Sequence, residues 1–139
     1  MTNDDELLIY EVQTFNVGED TFIDCTAESG NTVAFEDNTE TGYFYAIDRE
    51  NNLTILDGLH IYNVADISEK SKAIASTVKI LWTKDGTKSF LYLNDNCHAM
   101  FDFEIRAGYC KNSFPDNMSD WTKIKERKLT GEMLDKWRK

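Results

Sequence analysis

Two cysteines, a histidine and three acids fall within the stretch Asn94–Cys110, NDNCHAMFDFEIRAGYC. A thiol next to an imidazole is the raw material of a nucleophile–base pair. Two cysteines and a histidine are also zinc-ligand types. The spacing argues against both. If residues 97–103 form a β-strand, side chains alternate between faces. Cys97, Ala99, Phe101 and Phe103 then share an apolar face, while His98, Met100, Asp102 and Glu104 share the other. Cys97 and His98 point apart, and Cys97 reads as a small core residue. His98 and Asp102 share a face but lie about 13 Å apart at the strand rise. Cys97 and Cys110 are too widely spaced for the short paired ligands of structural zinc, and no second pair exists. The run DRENNLTILDGL lacks the central glycine and terminal glutamate of a calcium loop.

The two histidines allow one further arrangement. His60 follows Asp57 in one run of strands and His98 precedes Asp102 in another. Packed together, Asp57, His60, Tyr62, His98 and Asp102 would line one cleft, with imidazoles near carboxylates as acid–base chemistry needs. No nucleophile elbow, zinc-protease, phosphate-loop or dinucleotide fingerprint is present. The sequence therefore assigns no catalytic residue, no metal and no cofactor.

The elements that would position these residues are mostly strands. LLIYEVQTF (Leu7–Phe15) and TFIDCTAE are rich in β-formers. Thr32–Val64 reads as three strands separated by the turn signals EDNTE and DRENN. Asp66–Ser76 is polar with helical character. In Val78–Phe103 the Asp-Gly of KDGT marks one hairpin and NDN the next. At the C-terminus, Ser119 or Asp120 can cap a helix starting near Trp121. Thr130, Met133, Leu134 and Trp137 recur at helical spacing around Gly131. The expected fold is a single α+β domain over residues 1–139, mostly antiparallel β. It would hold two three-stranded meanders in a curved sheet or sandwich, with one or two C-terminal helices whose apolar stripe seals the sheet.

Charge is divided unevenly along the chain. The formal net charge is −10. Residues 1–60 carry fourteen acids against the single base Arg49, and the remainder carries eleven acids and fourteen bases. An acidic first half repels phosphate backbones, which disfavours nucleic acid as a partner, and steers cationic proteins toward it. Glu36, Asp37, Glu40, Asp48 and Glu50 form the candidate acidic face. No apolar run approaches a membrane span and the N-terminus lacks a leader's basic and apolar regions. Three cysteines in no framework spacing read as free thiols of a reducing, cytoplasmic compartment. The expected function is non-catalytic binding of a basic protein through the acidic face, in an immunity or antitoxin-like role. The alternatives are a small-molecule-binding or hydrolytic domain using the His/Asp cleft, and a homo-oligomer, in its simplest form a homodimer, joined through exposed strand edges.

At ETGYFYAID, ILDGLHIYNV and HAMFDFEIRAGYCKNSFP the chain resembles a bacterial family known as domain of unknown function number twenty-two fifty-one. The resemblance covers roughly residues 33–121 and is most specific in the Phe-Asp-Phe and Gly-Tyr-Cys steps. It implies a small bacterial cytoplasmic protein and carries no catalytic residues.

Overall fold

The computed structural model describes residues 7–111, 121–122 and 127–135. Nine strands follow in order: β1 (Leu7–Phe15), β2 (Thr21–Thr26), β3 (Thr32–Asp37), β4 (Thr41–Asp48), β5 (Thr54–Asn63), β6 (Ser76–Thr83), β7 (Lys88–Leu93), β8 (Asn96–Asp102) and β9 (Ala107–Cys110). The polar stretch after β5 holds a 3-10 turn at Val64–Asp66 and the one-turn helix α1 (Glu69–Lys72). Ser68 caps α1 by accepting from the Ser71 N–H at 3.1 Å. All strand pairs are antiparallel. They form a four-stranded sheet in the order β2-β3-β4-β5 and a five-stranded sheet in the order β1-β6-β7-β8-β9. Within these sheets of four and five strands, the runs β3-β4-β5 and β6-β7-β8 pair consecutively, with β2 added to the first and β1 and β9 to the second.

The turns obey local chemistry. Asn94 and Asp95 both take positive φ, as a two-residue type I′ hairpin between β7 and β8 requires. Gly86 does so in the turn between β6 and β7. The two sheets then pack face to face, because each presents an alternating apolar side. Phe35 meets Phe15 at 5.1 Å, Phe44 meets Phe101 at 5.2 Å, and the Trp82 indole N–H donates to Cys25 Sγ at 3.3 Å. Val33, Phe35, Phe44, Leu59, Ile80, Trp82, Leu91 and Phe101 are buried at this interface.

The five-stranded sheet is apolar on both faces. Phe90 and Met100 point away from the sandwich and are covered by Leu129 and Leu134 from the C-terminal segment. That segment joins the sheet edge: Cys110 N–H donates to Arg127 O at 2.8 Å and Leu129 N–H to Cys110 O at 3.0 Å. Trp121 packs edge-on against Phe103 at 5.4 Å. Trp121 and Thr122 are not helical, and residues 123–126 of the helix expected to start near Trp121 lie outside the described residues. Among the described residues of this segment the helix is α2 (Gly131–Leu134), a single turn capped by Thr130, with Gly131 as its first residue. Trp137 and the expected caps Ser119 and Asp120 lie outside the described residues.

Candidate functional site

The strand register builds one distinctive surface, the outer face of the four-stranded sheet. Three rows of side chains cross it. Phe22, Glu36, Tyr43 and His60 form the first, Asp24, Ala34, Tyr45 and Gly58 the second, and Thr26, Thr32, Ile47 and Ile55 the third. The middle row is low because Ala34 and Gly58 lack bulk. Tyr45 lies across Gly58, where an added Cβ would meet its ring at 3.3 Å. The result is a depression of about 540 Å³ lined by Phe22, Glu36, Tyr45, Ile47 and Ile55, with Asp24, Arg49 and Leu53 around it.

This surface combines three kinds of chemistry. Phe22, Leu53 and Ile55 are 58%, 62% and 55% exposed, so large apolar groups face water. Tyr43 and Tyr45 stack at 5.5 Å and 18°, and His60 lies 5.7 Å from Tyr43, making an aromatic shelf. The Tyr45 hydroxyl donates to Glu36 Oε1 at 2.8 Å. Burial, reinforced by that carboxylate, raises the Tyr45 pKa. Such a hydroxyl stays protonated and holds Glu36 at the rim of the depression. Leu53 sits at φ 58°, a left-handed conformation that costs a leucine about 1 kcal/mol.

Of the acids expected to share one face, Glu36 alone stands on the sheet surface. Asp37 is buried and accepts from the Gly18 N–H, the Thr39 N–H and the Tyr62 hydroxyl, at 2.8, 2.8 and 2.6 Å. It is an internal turn anchor and not part of an exposed acidic face, because three donors satisfy its carboxylate in the interior. Glu40 lies in the turn before β4, while Asp48 and Glu50 lie at its other end, with Asp48 accepting from the Glu50 N–H at 3.1 Å. At the strand rise the eight residues of β4 separate these groups by roughly 25 Å. Asp24 is the acid that sequence reasoning missed; the alternation of TFIDCT puts it beside Phe22 on the outer face.

The expected His/Asp cleft does not assemble. Asp57 points inward and is 4% exposed. It binds the guanidinium of Arg127 and the Thr122 hydroxyl, both themselves buried. His60 is on the outer face, with Nε2 2.8 Å from Asn63 Oδ1. Asp102 caps the turn after β8, accepting from the Glu104 and Ile105 N–H groups at 3.0 and 3.3 Å. Tyr62 and His98 do line a common cavity, at one end of the sandwich, without the other three.

The strict zigzag expected over residues 97–103 is also broken. Leu91 pairs with Ala99 and Tyr92 with Cys97, so His98 is an extra residue, a β-bulge. Ala99 and Phe101 keep the inner face, but Cys97 moves to the outer cluster with Tyr92 and Met100. His98 turns to the end cavity. Burial lowers its pKa, and Lys111 adds to the effect. Cys110 is buried and its thiol donates to His60 O at 3.1 Å. Among the described residues no three His, Cys, Asp or Glu side chains converge as metal ligands. None of the described helices is long and apolar enough to cross a membrane.

Residues 15–138 match the family described as uncharacterized protein conserved in bacteria, domain of unknown function 2251. The chain belongs to this family. The match takes in the C-terminal segment, which the resemblance over residues 33–121 left out. The chain is also 41% identical over 108 residues to an uncharacterized protein of Haemophilus influenzae. That alignment covers 76% of this chain and 64% of the relative, so the chain spans just under two thirds of the relative's length. No solved structure matches.

Proposed function

We propose that this member of the family is a non-catalytic, cytoplasmic protein-binding module, and that it docks a cationic protein surface on the outer face of the β2–β5 sheet. One observation carries the reading. Leu129 and Leu134 cover Phe90 and Met100 on the outer face of the five-stranded sheet, leaving Ile9 and Val12 exposed along its β1 edge, whereas the outer face of the four-stranded sheet carries Phe22, Leu53 and Ile55 in water around a depression of about 540 Å³. Exposed apolar groups ringed by polar ones mark interaction surfaces, and tyrosine is favoured as an anchor there. The ring has a sign. Asp24 and Glu36 stand at the depression against the single base Arg49, within a half-chain of net charge −13. An arginine or lysine of the partner would stack on the Tyr43–Tyr45 shelf and reach Glu36. The concrete form is an immunity or antitoxin-like protein that masks a basic partner. The strained Leu53 supports the same surface, since strain at an exposed apolar residue has no packing return in the isolated chain.

The test is capture from a bacterial lysate, followed by reconstitution from purified components. The wild-type chain retains a basic protein at low salt and releases it as salt screens the charges. Glu36→Lys and Ile55→Asp, at surface positions, each lose it while keeping the wild-type unfolding midpoint. Retention of the same proteins by wild type and both variants, or retention of none, sinks the proposal.

A further inference from the structure

A second cavity, of about 710 Å³, opens at one end of the sandwich between the sheets. Its volume lies within the range of small-molecule sites. Phe15, Val17, Tyr62 and Leu93 form an apolar floor, and Ile67 and Ile74 stand on the segment between β5 and β6 that borders it. Ile74 is 62% exposed, so the apolar lining continues out to the mouth.

The polar groups on the lining are largely engaged. Asn94 accepts from the Thr77 N–H at 2.9 Å and donates to Ser76 Oγ at 3.4 Å. Ser68 accepts from the Ser71 N–H and donates to the Ser71 hydroxyl. Asp66 accepts from Asn63 at 3.3 Å. The Tyr62 hydroxyl is held by Asp37 at 2.6 Å, so only its ring is offered. The His98 imidazole, half-buried, has no hydrogen-bond partner among the described residues. The bulge that displaces it from the regular zigzag aims it at this space. No lysine or arginine lines the cavity, and its one acid, Asp66, disfavours anions.

We infer that the end cavity is a binding site for an uncharged, mostly apolar, ring-bearing small molecule that donates one hydrogen bond to the His98 imidazole. The floor supplies burial and flat contact with Phe15 and Tyr62. His98 supplies the single directional contact, as a neutral ring with one acceptor nitrogen. This site is independent of the protein-docking face, which lies on the outside of the other sheet.

Indole and N-methylindole are the probes, matched except for the N–H donor. Titrated into the isotope-labelled full chain, indole shifts the backbone amide resonances of Leu93, Asn94, His98 and Tyr62, with the outer-face residues unmoved. N-methylindole binds about threefold to tenfold more weakly, the worth of one hydrogen bond. In His98→Phe the two probes bind alike. The wild-type comparison stands even if the variant fails to fold. Equal binding of both probes to wild type, or no shift at the cavity with either at millimolar concentration, overturns the inference.

Discussion

The guanidinium of Arg127 closes on the carboxylate of Asp57 across 70 positions of chain, with Thr122 donating to the same oxygen. Arg127 Nε also donates to Gly108 O at 3.1 Å, and Asp57 Oδ1 accepts from the Gly58 N–H at 3.0 Å. The group is buried where β5 meets the edge of the five-stranded sheet. It pins the C-terminal segment that covers Phe90 and Met100. Breaking a buried pair on one side leaves an uncompensated charge, which costs about 3–5 kcal/mol. Asp57→Leu and Arg127→Met should each lower stability by that order in urea unfolding. The double variant Asp57→Leu with Arg127→Met should be more stable than the sum of the single losses predicts, because neither charge is left alone. Additive losses would show that the pair is not coupled.

Gly108 makes the space for this pair. A Cβ there would meet the Phe101 ring at 2.7 Å, Asp57 Oδ2 at 2.8 Å and an Arg127 nitrogen at 3.0 Å. All three neighbours are buried, so none swings into water. Gly108→Ala should therefore destabilise by about 1–3 kcal/mol, the usual cost of overpacking. An unshifted urea midpoint would show that the pair can move aside.

His98 makes stability depend on pH. Its folded pKa lies below its ordinary value of 6.5, because burial disfavours the imidazolium. The unfolded chain then binds more protons in the window between the depressed pKa and 6.5. Stability is fully present above that window and is lost as pH falls through it. The wild type should lose thermal midpoint relative to His98→Gln as pH drops from about 7 to 5. Parallel curves for the two proteins would rule out His98 as the cause.

Leu53 should trade stability for binding. Leu53→Asn places a residue tolerant of positive φ at the same exposed corner and should stabilise by about 0.5–1 kcal/mol. On the proposed docking face it also removes an apolar contact, so partner capture should weaken as the unfolding midpoint rises. A midpoint that falls would show that the leucine is not strained.

The three thiols should differ in reactivity. Cys25 and Cys110 are buried, and desolvation raises the Cys25 pKa further from the reactive thiolate. Cys97, moved by the bulge to the outer cluster, is half-buried. A disulfide reagent should modify Cys97 first in the native protein and all three in urea. Equal native rates would place the inner cysteines nearer solvent than the packing implies.

Much of the architecture is legible from the residues alone. Alternating apolar positions and β-formers specify strands such as LLIYEVQTF, and KDGT and NDN specify hairpins, because both signals act through contacts a few residues apart. The asymmetry of charge is likewise a property of composition. The site is different in kind. Asp57 and Arg127 sit 70 positions apart, and nothing local in either marks its partner. Asp37 has the composition of a surface acid, yet three donors brought in by Gly18, Thr39 and Tyr62 make its burial favourable. One extra residue at His98 reverses Cys97 and opens an imidazole to the end cavity, because strand side chains alternate with period two and a single insertion exchanges the faces. Sequence thus decided most of the strands, though not the short edge strand β9, and where the charge resides. Only the tertiary structure decided how far each outer sheet face is covered, since that depends on where the C-terminal segment docks.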